Sequence, residues 1–209
     1  MTGIEEFNSL IELSVSNIEN SEFIEPDDNQ LTSIDVSKNV FLEVLNLTNN
    51  QLTTLDVSEN LGLIELYISL NPLTSINISN NVNLEVFYIL LCYFTSLDIS
   101  NNVNLKRMSV SSNQLTSVDV TNNPKLEHLN FSTNQLTNID LSNNTNLVFI
   151  SGRRNQLTAF DVSNIVNLTN LSIGANPLTC IQVNQDQLSN IPLQWSKDEE
   201  DYYSIDCGY

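Results

Sequence analysis

The sequence predicts a repeat solenoid, because one pattern of residues returns every 21 positions along most of the 209-residue chain. Asparagine and leucine are unusually abundant, with 33 and 30 copies, and this bias is typical of a short repeat. An asparagine or a cysteine marks the same position of eight successive rows: Asn29, Asn50, Asn71, Cys92, Asn113, Asn134, Asn155 and Asn176. Rows of constant length stack as coils that contact their neighbours, and the 41% hydrophobic content is enough for a continuous core.

The apolar positions within a row predict how each coil is wound. Leu63, Leu66, Ile68 and Asn71 precede a further leucine, which gives the pattern L-x-x-L-x-L-x-x-N-x-L. This pattern resembles the leucine-rich repeat family over roughly residues 8–195. The resemblance implies a horseshoe or flat right-handed coil, in which the L-x-L segments form a parallel β-sheet on the concave face. The short rows are most similar to those of secreted and surface bacterial proteins, and they leave the convex side room for extended or turn-like segments with few or no long helices.

The two ends depart from the repeat and divide the chain into three parts. Residues 1–28 form an acidic N-terminal cap with a degenerate first repeat, in a register that places Leu13 at the position of Ile34. Residues 29–175 hold seven repeats of 21 residues. Residues 176–209 hold the last partial repeat and a C-terminal cap.

The C-terminal cap is predicted from the last leucines and from two cysteines. Leu188, Ile191 and Leu193 repeat the spacing of the strand leucines and predict a final strand, over which the remaining residues fold. Disulfide-closed caps are common in extracellular leucine-rich repeat proteins, so the resemblance implies a bond between Cys180 and Cys207 and an oxidising compartment. Two unrelated thiols in a cytosolic chain are the alternative. We therefore expect a secreted or cell-surface protein whose signal peptide is absent from this sequence.

Two positions of the core carry an unusual residue. Cys92 takes the place of an asparagine, and we expect it to be a reduced thiol that is buried in the core. Gly152 stands where Leu47 stands in an earlier row. The missing side chain predicts a locally thin core, in which an isoleucine at this position would be neutral or stabilising.

Charge and composition exclude several classes of function. The chain has 25 acidic and 7 basic residues, so its net charge of −18 excludes binding to nucleic acid or to an anionic membrane surface through a basic face. No apolar run approaches the roughly 20 residues of a membrane span. His128 is the single histidine, and no nucleophile motif, phosphate loop or C-x-x-C pair accompanies it. We expect a monomeric binding module without catalytic residues, cofactor or metal.

Two polar columns on the convex side offer other kinds of ligand site. The aspartate column comprises Asp35, Asp56, Asp98, Asp119, Asp140 and Asp161, with Asn77 in the remaining row. The threonine column comprises Thr32, Thr53, Thr74, Thr95, Thr116, Thr137, Thr158 and Thr179. Carboxylate stacks bind calcium and regular threonine arrays bind ice, but both side chains also hydrogen-bond turns locally, and we favour that interpretation.

The residues that vary between rows on the concave side predict where a partner binds. Side chains that flank the inward leucines face away from the core. Those expected to contact a ligand are Tyr67, Tyr88, Leu90, Arg107, His128, Phe149, Arg153 and Arg154. Tyrosine and arginine are residue types in which binding energy concentrates, and all three arginines of the chain lie here. Scattered surface variation is the alternative.

A protein partner on the concave face is the function that these residues favour. A glycan-binding or adhesion module is the first alternative, with Tyr67 and Tyr88 stacked on sugar rings and the arginines bound to sulfate or carboxylate groups. Tyrosines in two adjacent rows, and not along several rows, favour protein over glycan. A structural spacer within a larger surface protein, without a ligand of its own, is the second alternative.

Overall fold

A computed structural model describes residues 4–7, 9–16 and 30–209, and it shows the predicted solenoid of stacked coils. Its strands are β1 (Glu12–Ser14), β2 (Val44–Asn46), β3 (Glu65–Tyr67), β4 (Val86–Tyr88), β5 (Arg107–Ser109), β6 (His128–Asn130), β7 (Phe149–Ser151), β8 (Asn170–Ser172), β9 (Cys180–Gln182), β10 (Trp195–Ser196) and β11 (Tyr202–Ser204). Strands β1 to β8 and then β10 form one sheet in that order, and β9 pairs with β11. The helices of the described residues are a 3₁₀ turn at Ile4–Glu6 and α1 (Gln185–Ser189), and neither is long and apolar enough to cross a membrane.

The strands are three residues long because the L-x-L segment is the extended part of each row. Neighbouring strands pair in parallel with a shift of one row, so that Leu45 lies beside Leu66 and Leu66 lies beside Phe87. These central side chains are fully buried and stack along the solenoid at the ~4.8 Å spacing of paired strands. Side chains on either side of them alternate to the open face.

The convex side consists of turns, as the row length predicts. In one coil the N–H of Asn60 donates to the carbonyl of Val57, and the N–H of Leu63 donates to the carbonyl of Asn60, both at 3.1 Å. The same pair of tight turns recurs from coil to coil, and residues 30–175 contain no helix.

The asparagine column is a buried hydrogen-bond ladder. Asn71 Nδ2 donates to the carbonyls of Leu47 and Ile68 at 2.9 and 3.1 Å, and its Oδ1 accepts from the N–H of Leu52 at 3.0 Å. The corresponding bonds are made by Asn50, Asn113, Asn134, Asn155 and Asn176. Asn29 lies outside the described residues. Each of these coils is therefore bound by the coil that follows it.

Cys92 occupies its predicted place in this ladder as a free, buried thiol. Its Sγ donates to the carbonyls of Ile68 and Leu90 at 3.5 and 3.6 Å, and burial raises the pKa of the thiol. A thiol accepts hydrogen bonds more weakly than an amide oxygen does, so this rung is weaker than the asparagine rungs.

A second column of asparagines, not identified from the sequence, is buried on the convex side. Its fully buried members are Asn39, Asn60, Asn81, Asn102, Asn123 and Asn144. Asn60 Nδ2 donates to two carbonyls of the preceding coil, both at 2.9 Å. Ile165 interrupts the column, and Gln187 of α1 continues it, because its Nε2 donates to the carbonyls of Val162 and Ile165 at 3.1 and 3.0 Å.

The first coil has a register that differs from the predicted one. Leu13 of β1 pairs with Leu45 of β2, 32 positions along the chain, where later neighbours up to β8 are 21 apart, so 11 additional residues lie in this row. Asn50 Nδ2 confirms the register, because it donates to the carbonyl of Val15 at 2.8 Å. The equivalence of Leu13 with Ile34 is therefore wrong. A row has two apolar segments, and a short apolar run fits either of them.

The final strand of the large sheet is also not the predicted one. Trp195 of β10 pairs with Leu171 and is 8% exposed, whereas Leu193 is 97% exposed. The predicted strand is wrong because Asn184 starts a helix in this segment. Its side chain accepts from the N–H of Gln187, and the side chain of Gln187 accepts from the N–H of Asn184, which is a capping box.

The C-terminal tail folds over the last coil, as predicted, and the implied disulfide between Cys180 and Cys207 is present. Strand β11 pairs in parallel with β9, and Tyr209 Oη donates to the carbonyl of Phe160 at 2.8 Å. The ring of Tyr203 lies 5.8 Å from that of Trp195. Covalent, hydrogen-bond and aromatic contacts together fix the cap.

The core is not thin at Gly152, contrary to the prediction. The ring of Phe131, from the preceding coil, fills the space where a side chain at this position would lie. A Cβ there would be 2.3 Å from Phe131 Cζ and 2.8 Å from Ile173 Cδ1, well inside van der Waals contact. The glycine and its large neighbour are therefore a matched pair.

Candidate binding groove on the concave sheet

The concave sheet presents two columns of side chains, one on each side of the buried central column. The first residue of each strand forms one column and the third residue forms the other, because side chains alternate along a strand. Tyr67 and Tyr88 lie in the third-residue column, on β3 and β4. Arg107, His128 and Phe149 lie in the first-residue column, on β5, β6 and β7.

The two tyrosines are in contact, but they are oriented differently. Their ring centroids are 5.3 Å apart and their planes are at 90°, which is an edge-to-face arrangement. Tyr67 Oη donates to Glu65 Oε2 at 2.6 Å, and partial burial together with this bond raises the pKa of Tyr67. Tyr67 is thereby held against the sheet, while Tyr88 lines the open space over the following strands.

A groove of about 350 Å³ lies over β4 to β7. Among the residues that line it are Tyr88, Leu90, His128, Phe149, Ser109 and Asn130. His128 and Phe149 stack with centroids 5.9 Å apart and planes at 27°, so they form one continuous wall. The groove arises from a difference between the two columns. The third-residue column continues from Tyr88 with the shorter side chains of Ser109 and Asn130, whereas the first-residue column holds the rings of His128 and Phe149.

Exposed arginines lie on and directly after the strands that form the groove, although the chain is strongly acidic. Arg107 is exposed on β5, and Arg153 and Arg154 are exposed in the turn that follows β7. Lys106 Nζ lies 2.6 Å from Glu85 Oε2, and this is the single ion pair within the described part of the chain. The three guanidinium groups make no ion pair or side-chain hydrogen bond there. They are therefore available to an anionic ligand.

The turn after each strand has a backbone conformation that the sequence did not indicate. Seven non-glycine residues have φ between 53° and 60°: Asn49, Leu70, Leu91, Ser112, Thr133, Arg154 and Ala175. This left-handed region favours glycine or asparagine, so most of these residues are mildly strained. Leu90, Arg153 and Arg154 consequently belong to the rim of the sheet, and the other predicted contact residues lie on the strands themselves.

Comparisons with solved structures agree with this architecture. The functional domain of InlJ from Listeria monocytogenes matches with a TM-score of 0.69 and 28% identity, over 98% of this chain and 51% of that one. A leucine-rich repeat protein of Leptospira interrogans matches with a TM-score of 0.76 and 22% identity, over 93% and 50% of the two chains. The chain has the leucine-rich repeat fold. This leucine-rich repeat chain spans about half the length of these two relatives.

A third leucine-rich repeat structure is that of a receptor in a complex. The ectodomain of the plant membrane receptor kinase GASSHO1/SCHENGEN3 from Arabidopsis thaliana, in complex with Casparian strip integrity factor 2, matches with a TM-score of 0.60 and 23% identity. The match covers 71% of this leucine-rich repeat chain and 22% of the receptor. No family model and no curated protein matches the sequence significantly.

The leucine-rich repeat chain uses its convex aspartates within its own turns. Asp98 Oδ1 accepts from the N–H of Ser100 at 2.9 Å, and this bond lowers the pKa of Asp98. The same bond is made by Asp35, Asp56, Asn77, Asp119, Asp140 and Asp161. The predicted local hydrogen bonding of this column is therefore confirmed. Among the described residues, no group of three or more His, Cys, Asp or Glu side chains is placed to hold a metal ion.

The threonine column of this leucine-rich repeat chain behaves differently. All eight threonines are exposed, and their hydroxyls make no hydrogen bond within the described residues. The local hydrogen bonding predicted for this column is therefore wrong. The column stays an ordered array of exposed hydroxyl and methyl groups.

Proposed function

We propose that this chain is a protein-recognition module that binds its partner through the concave sheet. The observation that carries the proposal is the groove over β4 to β7, where aromatic walls share the open face with the unpaired Arg107, and Arg153 and Arg154 follow in the turn after β7. Large rings around short side chains are typical of a pocket for one bulky residue, and tyrosine and arginine are enriched at the centres of interfaces. The plant receptor ectodomain, similar in fold, is in complex with Casparian strip integrity factor 2, which supports a binding role.

A glycan ligand has less support from the geometry. Sugar rings stack on open aromatic faces, but Tyr67 meets Tyr88 edge to face and its hydroxyl is bound to Glu65. The remaining rings, His128 and Phe149, form a wall of the groove. The aromatic groups thus enclose a pocket and do not form a long platform for successive sugars.

A non-catalytic, extracellular role is part of the same proposal. The Cys180–Cys207 disulfide is a type of bond that persists in oxidising compartments. The free thiol of Cys92 is buried, where oxidants reach it poorly. His128 makes no side-chain hydrogen bond within the described residues, so it has neither a nucleophile nor an orienting carboxylate beside it. The net charge of −18 favours a soluble monomer.

Site-specific photo-crosslinking tests the proposal. A photoreactive phenylalanine analogue is placed either at Phe149 in the groove or at Asp119 on the convex side, and the protein is exposed to extracts of the source organism and its surroundings. We expect protease-sensitive adducts from position 149, absent from position 119 and lost on adding Tyr88→Ala. Adducts at position 149 that resist protease but are removed by glycosidases would favour a glycan. Equal crosslinking from both positions would refute the concave site.

Substitutions on the concave and convex sides, followed by measurement of the affinity for the partner, give a second test of the binding site. Arg153→Ala combined with Arg154→Ala should weaken binding of the crosslinked partner without disturbing the fold, because both side chains are exposed. Their contribution should fall with added salt, since exposed charges are screened over ~8 Å at physiological ionic strength. Asp98→Asn on the convex side is the matched control and should leave affinity unchanged.

A further inference from the structure

The basic residues of the chain are concentrated in one part of the solenoid. Five of the seven lysines and arginines lie between residues 106 and 154: Lys106, Arg107, Lys125, Arg153 and Arg154. Lys106 is engaged by Glu85, and Lys125 Nζ donates to Asn104 Oδ1 at 2.7 Å. The unengaged positive charge in this part of the chain is therefore that of the three arginines, on β5 and in the turn after β7.

The concave sheet is also electrically polarised along its length. The first-residue column carries Glu12 on β1 and Glu65 on β3, and then Arg107 on β5. An anionic ligand is repelled by the early strands and attracted at the later ones, whereas a cationic ligand has the opposite preference. The aromatic groove lies at the positive part of this column, and the next acid at the rim is Asp198, whose Oδ2 accepts from the N–H of Ala175 at 2.6 Å, one coil beyond Arg154.

These observations identify the chemistry of the ligand, on the basis of the concave binding proposed above. We propose that the partner presents an extended acidic segment with one bulky apolar side chain. The apolar side chain fills the groove between Tyr88 and Phe149, while carboxylates flanking it bind Arg107 on the sheet and Arg153 and Arg154 on the rim. Arginine suits this role because its planar guanidinium binds a carboxylate through two parallel hydrogen bonds.

The dimensions of the site agree with a short segment. Strands β4 and β7 are three strand spacings apart, which is about 14 Å, and an extended chain of about four residues covers that length. The net charge of −18 opposes the approach of such a segment at long range, but acids on the convex turns are screened over ~8 Å in physiological salt. The arginines have no ion pair to break within the described residues before they bind.

A random linear peptide library displayed on phage, selected against the whole chain at physiological salt, tests the proposal. We expect the selected peptides to be enriched in aspartate and glutamate beside one aromatic or large aliphatic residue. A synthetic peptide of selected sequence should bind the Arg107→Gln, Arg153→Gln, Arg154→Gln triple variant at least tenfold more weakly. Lys38→Gln removes an exposed base on the convex side, and it should change the affinity for the same peptide less than twofold. Circular dichroism verifies that both variants are folded.

Other outcomes overturn the proposal in distinguishable ways. Selected peptides rich in lysine and arginine, which would follow the net charge of the protein, refute the acidic segment. Neutral peptides whose binding is lost with Tyr88→Ala or Phe149→Ala, but not with the arginine changes, also refute it and leave the concave protein site intact. Heparin oligosaccharides are tested in parallel. If they bind through the arginines and no peptide binds through the groove, both the acidic segment and protein recognition are refuted.

Discussion

Replacing Gly152 by alanine should destabilise the protein, because the added methyl group has no space. Its Cβ would lie 2.3 Å from Phe131 Cζ and 2.8 Å from Ile173 Cδ1, where carbon atoms in contact are normally about 3.5–4.0 Å apart. The ring of Phe131 would have to move by more than an ångström, and it is fully buried. Overpacking of this kind costs about 1–3 kcal/mol, and we expect a loss of about 2 kcal/mol.

A second substitution separates overpacking from other causes. Phe131→Leu removes the ring atoms that meet the new methyl group, so the double variant Phe131→Leu, Gly152→Ala should be less destabilised than the sum of the single variants. The expected coupling is at least about 1 kcal/mol, in the range measured for contacting residues. Phe131→Leu alone should lower stability, because it leaves the space beside the glycine empty.

Urea unfolding, followed by circular dichroism and by the fluorescence of Trp195, measures these changes. With a slope of about 2 kcal/mol per molar urea, the alanine variant should unfold about 1 M earlier than the wild type. A midpoint that rises with Gly152→Ala, or strictly additive losses in the double variant, would refute the matched-pair explanation and would restore a thin core at this coil.

Three further outcomes follow from the ladders, the turns and the cap. Cys92→Asn should raise the free energy of unfolding by about 1 kcal/mol in urea titrations, because an amide oxygen is a stronger acceptor than a thiol sulfur, whereas Cys92→Ala should lower it. Asp98→Ala should lower the melting temperature at pH 7 more than Asp98→Asn, since Asn77 makes the same turn bond. The turn bond lowers the native pKa of Asp98 from 3.8, so the ionised carboxylate stabilises the fold above that pH. The difference in melting temperature between wild type and Asp98→Ala should therefore narrow as the pH falls below 3.8. Reducing the Cys180–Cys207 bond, whose cysteines are 27 residues apart, should cost about 3 kcal/mol, with mass spectrometry after alkylation as the check.

The stacking of the coils was predictable because every row repeats the same requirements. The 21-residue spacing alone places Leu45 beside Leu66, and the structure confirms this pairing. The ends were not predictable from spacing, since Leu13 fits either apolar segment of a row and Leu193 fits a strand that the capping box of α1 prevents. Gly152 was misread because the spacing shows a missing side chain, but not the neighbour that fills its place.

The candidate site was predictable in its composition and not in its shape. Alternation along a strand is enough to place Tyr88, His128 and Phe149 on the open face. The depth of the groove depends on Ser109 being short between large rings of adjacent strands, which is a relation between columns and not a property of one residue. The position of Arg154 on the rim depends on a turn with φ of 55°, which its side chain does not favour.

The two asparagine ladders give the molecule a direction, since both donate from each coil to the one before it. A duplicated row inserted between two others would both make and receive these bonds, so tandem duplication of a 21-residue unit can lengthen the concave face without redesign of either end. The coil that contains Val162 and Ile165 is different because α1 follows it in place of a convex turn, and Gln187 of that helix supplies the donor that an asparagine supplies elsewhere. Growth and loss of rows in evolution are therefore expected within the array, upstream of this glutamine, where each new row adds two strand side chains to the open face.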